Sequence, residues 1–149
     1  MIAPATPSQM EEVKDLFQEY AESLSVDLCF QNFAQELAEL PGTYDLVLVS
    51  CVTGLSLSGC VALRPFSTTI AEMKRLYVRP QYRGQGIGRK LVDAIVQAAI
   101  DRGYQAIRLD TLPELEAAIA LYRKLGFQEI APYNDNPVPG VLYLELVLP

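Results

Sequence analysis

Arg83-Gly84-Gln85-Gly86-Ile87-Gly88 places three glycines at alternate positions directly ahead of a run with helical periodicity, and Arg89 and Lys90 follow it. Glycine lets the backbone come close to a ligand, and the first N–H groups of a helix have no partner inside the helix. Together they suit a phosphate group. Residues 73–92 hold Lys74, Arg75, Arg79, Arg83, Arg89 and Lys90 and no acid, so the whole stretch reads as a grip on a polyphosphate. Two familiar glycine motifs fail here. A dinucleotide fingerprint requires glycine where Arg89 stands, and an NTPase phosphate loop requires Gly-Lys followed by Ser or Thr, which the chain lacks.

The 149 residues include no histidine. Ser-His-Asp and Cys-His nucleophile schemes are excluded, along with the commonest metal ligand. Proton transfer has to fall to carboxylates, tyrosines, lysines, cysteines or water. Cys29, Cys51 and Cys60 show no metal-ligand spacing, and the last two sit in strand-like runs that suit small buried apolar residues. No metal is expected.

Net charge is −6, but residues 1–63 carry nine acids against the single base Lys14. A broad basic face for nucleic acid is not expected in such a chain. A compact anion site in an acidic protein fits better, and the acidic half would steer a cationic partner toward it. No apolar run approaches the ~20 residues of a membrane span, and Met1-Ile2-Ala3-Pro4 lacks the charged and apolar regions of an export signal. The expectation is one domain over residues 1–149, cytoplasmic, with no membrane partner.

The elements that would position these residues can be read in order. Ile2-Ala3 makes a short strand. Thr6-Pro7-Ser8-Gln9 opens a helix whose stripe is Val13, Leu16, Phe17, Tyr20 and Leu24. A second helix covers Phe30 to Leu40. Strands follow at Asp45–Val52, Gly59–Phe66 and Ile70–Val78, with a turn at Gly54–Ser58. Ile87–Arg102 is a helix closed by Gly103, Ala106–Thr111 a strand, and Pro113 or Glu114 to Lys124 a helix closed by Gly126. Phe127–Ile130 and Val141–Leu148 are strands joined by the loop Pro132–Gly140. This order predicts an α/β (α+β) fold, a mixed sheet with helices on both faces. The last strand is apolar on both faces except at Glu145, which would suit a homodimer contact.

In the strand 70–78 the apolar residues are Ala71 and Met73, then Leu76 and Val78. A one-residue slip in a period of two is what a β-bulge produces.

Leu76-Tyr77-Val78-Arg79-Pro80, then Arg83-Gly84-x-Gly86-Ile87-Gly88-Arg89, and ~30 residues later Ala118-Ile119-Ala120-Leu121-Tyr122-Arg123-Lys124-Leu125-Gly126-Phe127, resembles the GNAT family of acetyl-CoA-dependent N-acetyltransferases. The resemblance implies a mostly antiparallel sheet in which a bulge splays one parallel strand pair and admits the pantetheine arm. It implies cofactor binding by Leu76, Tyr77, Val78, Arg83, Gly84, Gln85, Gly86, Ile87, Gly88 and Arg89. Backbone groups of Leu76 and Val78 would bind the pantetheine and the acetyl carbonyl. Tyr122 falls where the family keeps the tyrosine that protonates the departing thiolate. Glu72, six residues before Val78, stands where histone-acetylating members hold their base, and Asp110 is a second candidate. Against these readings, Tyr122 shares a helical stripe with Leu115, Ala118, Ile119 and Leu125, as a core residue would, and Lys74 could simply pair with Glu72. Many members carry Asn where this chain has Leu115, so cofactor binding would rest more on the loop, or a neighbour such as Thr111 or Glu114 would replace the contact. The acceptor would be the amine of a small molecule or peptide, contacted by Tyr133 and Asn134. A non-catalytic acyl-CoA sensor and another acyl donor are the alternatives.

Overall fold

The computed structural model describes residues 1–25, 33–42, 44–52 and 56–149. Its elements are β1 (Ile2–Pro4), α1 (Met10–Ser23), α2 (Phe33–Glu39), β2 (Leu46–Cys51), β3 (Leu57–Pro65), β4 (Ile70–Val78), α3 (Ile87–Asp101), β5 (Ala106–Thr111), α4 (Glu116–Lys124), β6 (Gln128–Glu129) and β7 (Leu142–Val147). The strands form one seven-stranded sheet in the order β1-β2-β3-β4-β5-β7-β6. All its pairs are antiparallel except β4 with β5.

Strand alternation sorts the apolar residues onto two faces. Leu48, Val61, Leu63, Met73, Ile107 and Leu109 pack with Leu91 and Ile95 of α3 and Tyr122 of α4. Val47, Val49, Cys60, Ala62 and Tyr77 pack with Val13, Leu16 and Phe17 of α1. The expected helices on both faces follow from this division.

Some boundaries differ from the sequence reading. Pro7–Gln9 winds as a 3₁₀ turn before α1, with Gln9 Oε1 accepting the Thr6 N–H at 2.9 Å. α4 begins two to three residues later than expected, after Leu115 as its cap. The first residues of the expected second helix, part of the Gly54–Ser58 turn, and Cys29 lie outside the described residues. β7 is hydrogen-bonded by β5 on one side and by β6 on the other, so the sheet ends at β6.

The bulge is present. Cys60 opposes Tyr77 and Ala62 opposes Lys74, so Arg75 and Leu76 together stand against Val61. Arg75 takes φ +62°, the one non-glycine residue with positive φ among those described. Such strain persists where the surroundings over-determine it. Here the Arg75 guanidinium is held by a bidentate pair, Nε donating to Glu36 Oε2 at 3.0 Å and Nη2 to Glu36 Oε1 at 2.8 Å.

Arg79 is not part of a polyphosphate grip, as the charge run had suggested. Its side chain turns toward α1, where it meets Glu19 at 2.9 Å and Glu12 at 3.1 Å, and it donates to the Leu57 carbonyl at 2.8 Å. Glu12 in turn accepts the Leu57 N–H at 2.8 Å. This clamp ties α1 to the start of β3 and the end of β4.

Gly59 is required where β3 meets that clamp. A Cβ there would lie 2.6 Å from the Tyr77 carbonyl oxygen, 3.1 Å from Ser50 Oγ and 3.2 Å from Leu91 Cδ1. The carbonyl belongs to a paired strand and cannot step aside. Gly59→Ala should cost about 1–3 kcal/mol, read as a fall in Tm of several degrees.

Candidate active site

β4 and β5 pair only at Ile70, Ala71 and Glu72 with Ala106, Ile107 and Arg108. Beyond that point β4 carries its bulge, and no strand among the described residues covers its β5-facing edge. A cleft of about 480 Å³ opens there, walled by Leu76, Tyr77 and Val78 of β4, by Arg83, Gly84, Gly86, Ile87 and Gly88, by Tyr20 of α1, and by 114–118 and Leu121 around α4.

The glycine loop stands at one end of this cleft. Gly84 and Gly86 have φ of +82° and +78°, and a Cβ at either would meet nothing within 4 Å. Gly86 caps α3 with no side-chain hydrogen bond and no acid in the first turn. The first bond of the helix is from Lys90 N to Gly86 O, so the preceding N–H groups have no helical partner. This is the arrangement in which a helix start holds phosphate. Gly86→Ala should keep the fold and weaken acetyl-CoA binding about tenfold, since left-handed φ costs a non-glycine residue roughly 1–2 kcal/mol, so the free loop relaxes out of it and binding must restore it. Calorimetric titration measures it.

The expected loop residues divide. Arg83 reaches back to donate its Nε–H to the Val78 carbonyl at 2.9 Å, with its guanidinium 5.7 Å from the Tyr77 ring. Gln85 and Arg89 are outside the cleft wall, and Arg89 lies 3.5 Å from Asp93 on the half-exposed side of α3. Leu115 lines the cleft, as does Glu114, whose carboxylate accepts the N–H and hydroxyl of Ser25.

Tyr122 is 5 % exposed, its ring packed on Phe127 at 5.6 Å. Burial, with Tyr20 nearby, pushes its phenol well above the ordinary tyrosine pKa. No described group bonds its hydroxyl, yet no buried polar side-chain atom lacks a partner among the described residues. The hydroxyl therefore keeps a trace of solvent access; Tyr122 itself is not in the cleft wall, whereas Ala118 and Leu121 of the same helix are.

A second, polar cavity of about 230 Å³ lies on the α1–α2 face of the splay, lined by Glu36, Arg64, Lys74, Arg75, Asp110 and 134–136. Leu76 lines the first cavity and Arg75 this one, so the two bulge residues face different cavities. Asp110 is two residues past the last β4–β5 pair, level with Lys74 across the gap. Its Oδ2 accepts from Asn134 at 3.0 Å and Asn136 at 3.3 Å. Burial and the neighbouring Arg75 hold the Lys74 ammonium below the usual lysine pKa.

Glu72 is 2 % exposed. Its ion pair is with Arg64, its register partner on β3, at 2.7 Å, and Tyr133 donates to its other oxygen at 2.6 Å. Tyr133 packs edge-on against Phe66 and Tyr143. Burial and the Glu72 charge push its phenol pKa up.

Residues 10–127 match the sequence profile of the acetyltransferase (GNAT) family. The chain belongs to the GNAT family. An uncharacterised N-acetyltransferase of Schizosaccharomyces pombe is 41 % identical over 145 residues, which covers 94 % of this chain and 89 % of the relative. A thialysine N-ε-acetyltransferase of Bos taurus is 40 % identical over 58 residues, 39 % of this chain and 34 % of that protein. In fold, an acetyltransferase of Salmonella typhimurium solved with its cofactor acetyl-CoA superposes with a TM-score of 0.78 at 21 % identity, covering 100 % of this chain and 94 % of the other. The chain is thus an N-acetyltransferase built on the GNAT sheet. The GNAT resemblance marked the glycine loop and Tyr122. Tyr20, Glu36 and Arg64 carried no motif and were missed. Tyr20 was read only as part of a core stripe.

Proposed function

We propose that this GNAT enzyme transfers the acetyl group of acetyl-CoA to the primary amine of a small polar acceptor by direct attack. The observation that carries the reading is the splay itself. It stands between an apolar cleft with the glycine loop in its wall, which Leu76 lines, and a polar cavity of about 230 Å³, which the adjacent Arg75 lines. In this reading Gly84–Gly88 hold the pyrophosphate and Arg83 flanks it. Backbone groups of Leu76, Tyr77 and Val78 take the pantetheine and acetyl carbonyl. The second cavity receives the acceptor. Its size is below the ~300 Å³ of ordinary drug-sized pockets, which favours a compact amine or the tip of a side chain.

An acceptor amine of pKa ~10.4 is neutral about once in a few thousand at pH 7, so a proton must leave before attack. As the N–C bond forms, the nitrogen gives up a further proton. The C–S bond then breaks and the thiolate takes one up. Asp110 is the carboxylate best placed to receive the nitrogen's proton, directly or through water. Both oxygens of Glu72 are engaged, and it lies two residues further from the bulge. We assign Glu72 to shaping the pocket through Tyr133, with a proton path through it only by way of water. Tyr122 supplies the thiolate's proton. Asn134, held on Asp110, faces the acceptor.

Thiol release from acetyl-CoA across a panel of amines tests the proposal. Thialysine, diamines, amino acids and short peptides would be included. Turnover on a compact amine is expected. Turnover confined to peptides would overturn the small-acceptor assignment.

A further inference from the structure

Tyr20 is a wall residue of the cofactor cleft with charged groups of the second cavity near it, and nothing in the chemistry above uses it. It comes from α1, on the opposite face of the sheet from Tyr122, and lines the cofactor cleft beside Leu76. Its ring stands edge-on to Tyr77 at 6.1 Å, so its place is set by packing against the bulged strand. The preceding residue, Glu19, is the one Arg79 grips at 2.9 Å. That clamp fixes the turn of α1 on which Tyr20 rides.

Its hydroxyl is not used in folding. No described group bonds it, and no buried side-chain polar atom is left without a partner among the described residues, so it opens into the cleft. The groups that act on it electrostatically come from both sides of the gap. Arg75 and Asp110 line the acceptor cavity, and Glu114 lines the cofactor cleft. Tyr20 in turn is the neighbour that acts on Tyr122.

We propose that Tyr20 is a catalytic residue that contacts the acceptor nitrogen, its phenol oxygen accepting one N–H of the attacking amine and so turning the nitrogen lone pair toward the thioester carbonyl. A hydroxyl at this point does what positioning does in general, holding the reacting atoms in an attack geometry. The assignment rests on the acetyl-transfer reading of the same site.

Tyr20→Phe is the test, because the ring and its contact with Tyr77 are kept and only the hydroxyl is lost. Wild type and variant are compared by thiol release on the amine that the wild type uses best in the panel above, and by calorimetric titration with acetyl-CoA. The expected result is a tenfold or larger fall in kcat/KM for the amine, with acetyl-CoA affinity and Tm unchanged. Equal kcat/KM in the two proteins would overturn the inference and leave acetyl transfer standing. A loss of acetyl-CoA affinity matching the loss of rate would also overturn it, making Tyr20 a wall of the cleft. A wild type that binds acetyl-CoA but acetylates no amine would overturn this inference together with the reading it rests on.

Discussion

Asp110→Asn should lower kcat/KM for the acceptor amine about 10²–10⁴-fold near neutral pH while leaving acetyl-CoA affinity unchanged. The defect should shrink as pH rises. Below the amine's pKa the neutral fraction grows about tenfold per pH unit, and a variant without its base depends wholly on that fraction. Glu72→Gln provides the contrast. The Arg64–Glu72 pair is buried on the Glu72 side, at 3 % exposure against 35 % for Arg64. Losing the charge leaves Arg64 free to turn to solvent but weakens the hold on Tyr133. A lower Tm and a raised KM are expected, with the shape of the pH profile retained. If Glu72→Gln is the variant rescued by high pH and Asp110→Asn is not, the two carboxylates exchange roles.

Tyr122→Phe is expected to cut kcat by roughly 10²-fold at unchanged acetyl-CoA affinity. The raised phenol pKa keeps the group protonated throughout the working range, which suits a donor and makes full ionisation uphill. A thiolate of pKa ~8.5 taking a proton from such a phenol gains only if the transfer is concerted with C–S cleavage, so the benefit sits at the lower part of the general-acid range. Stability provides an internal control. The ring packs on Phe127 and the hydroxyl has no described partner, so its removal should change stability by less than about 1 kcal/mol. Wild-type kcat and kcat/KM in this variant would remove Tyr122 from the mechanism.

The glycine loop and the bulge were legible in the sequence because they are local. The glycine loop, the cap of α3 and the phase slip before it are all readable within some twenty residues, and the slip proved to be the bulge at Arg75. What was not legible depended on partners far apart in the chain. The charge run 73–92 looked like one grip, but β alternation and the bulge send Arg75 to Glu36 and Arg79 to Glu12 and Glu19. Glu72 was weighed against Lys74, two residues along its own strand. Its ion pair instead lies across the ladder, with Arg64. Tyr20 sits on an apolar helical stripe like any core tyrosine, and only the folded cleft beside β4 reveals it as a wall residue.

A crystal structure with acetyl-CoA bound tests the central claim most directly. The pyrophosphate is expected on the N–H groups of Gly84–Gly88 and the thioester carbonyl beside Leu76, with the acetyl carbon facing the cavity lined by Asp110 and Lys74. An acetyl group directed away from that cavity, or a pantetheine arm that does not enter the gap between β4 and β5, would contradict it.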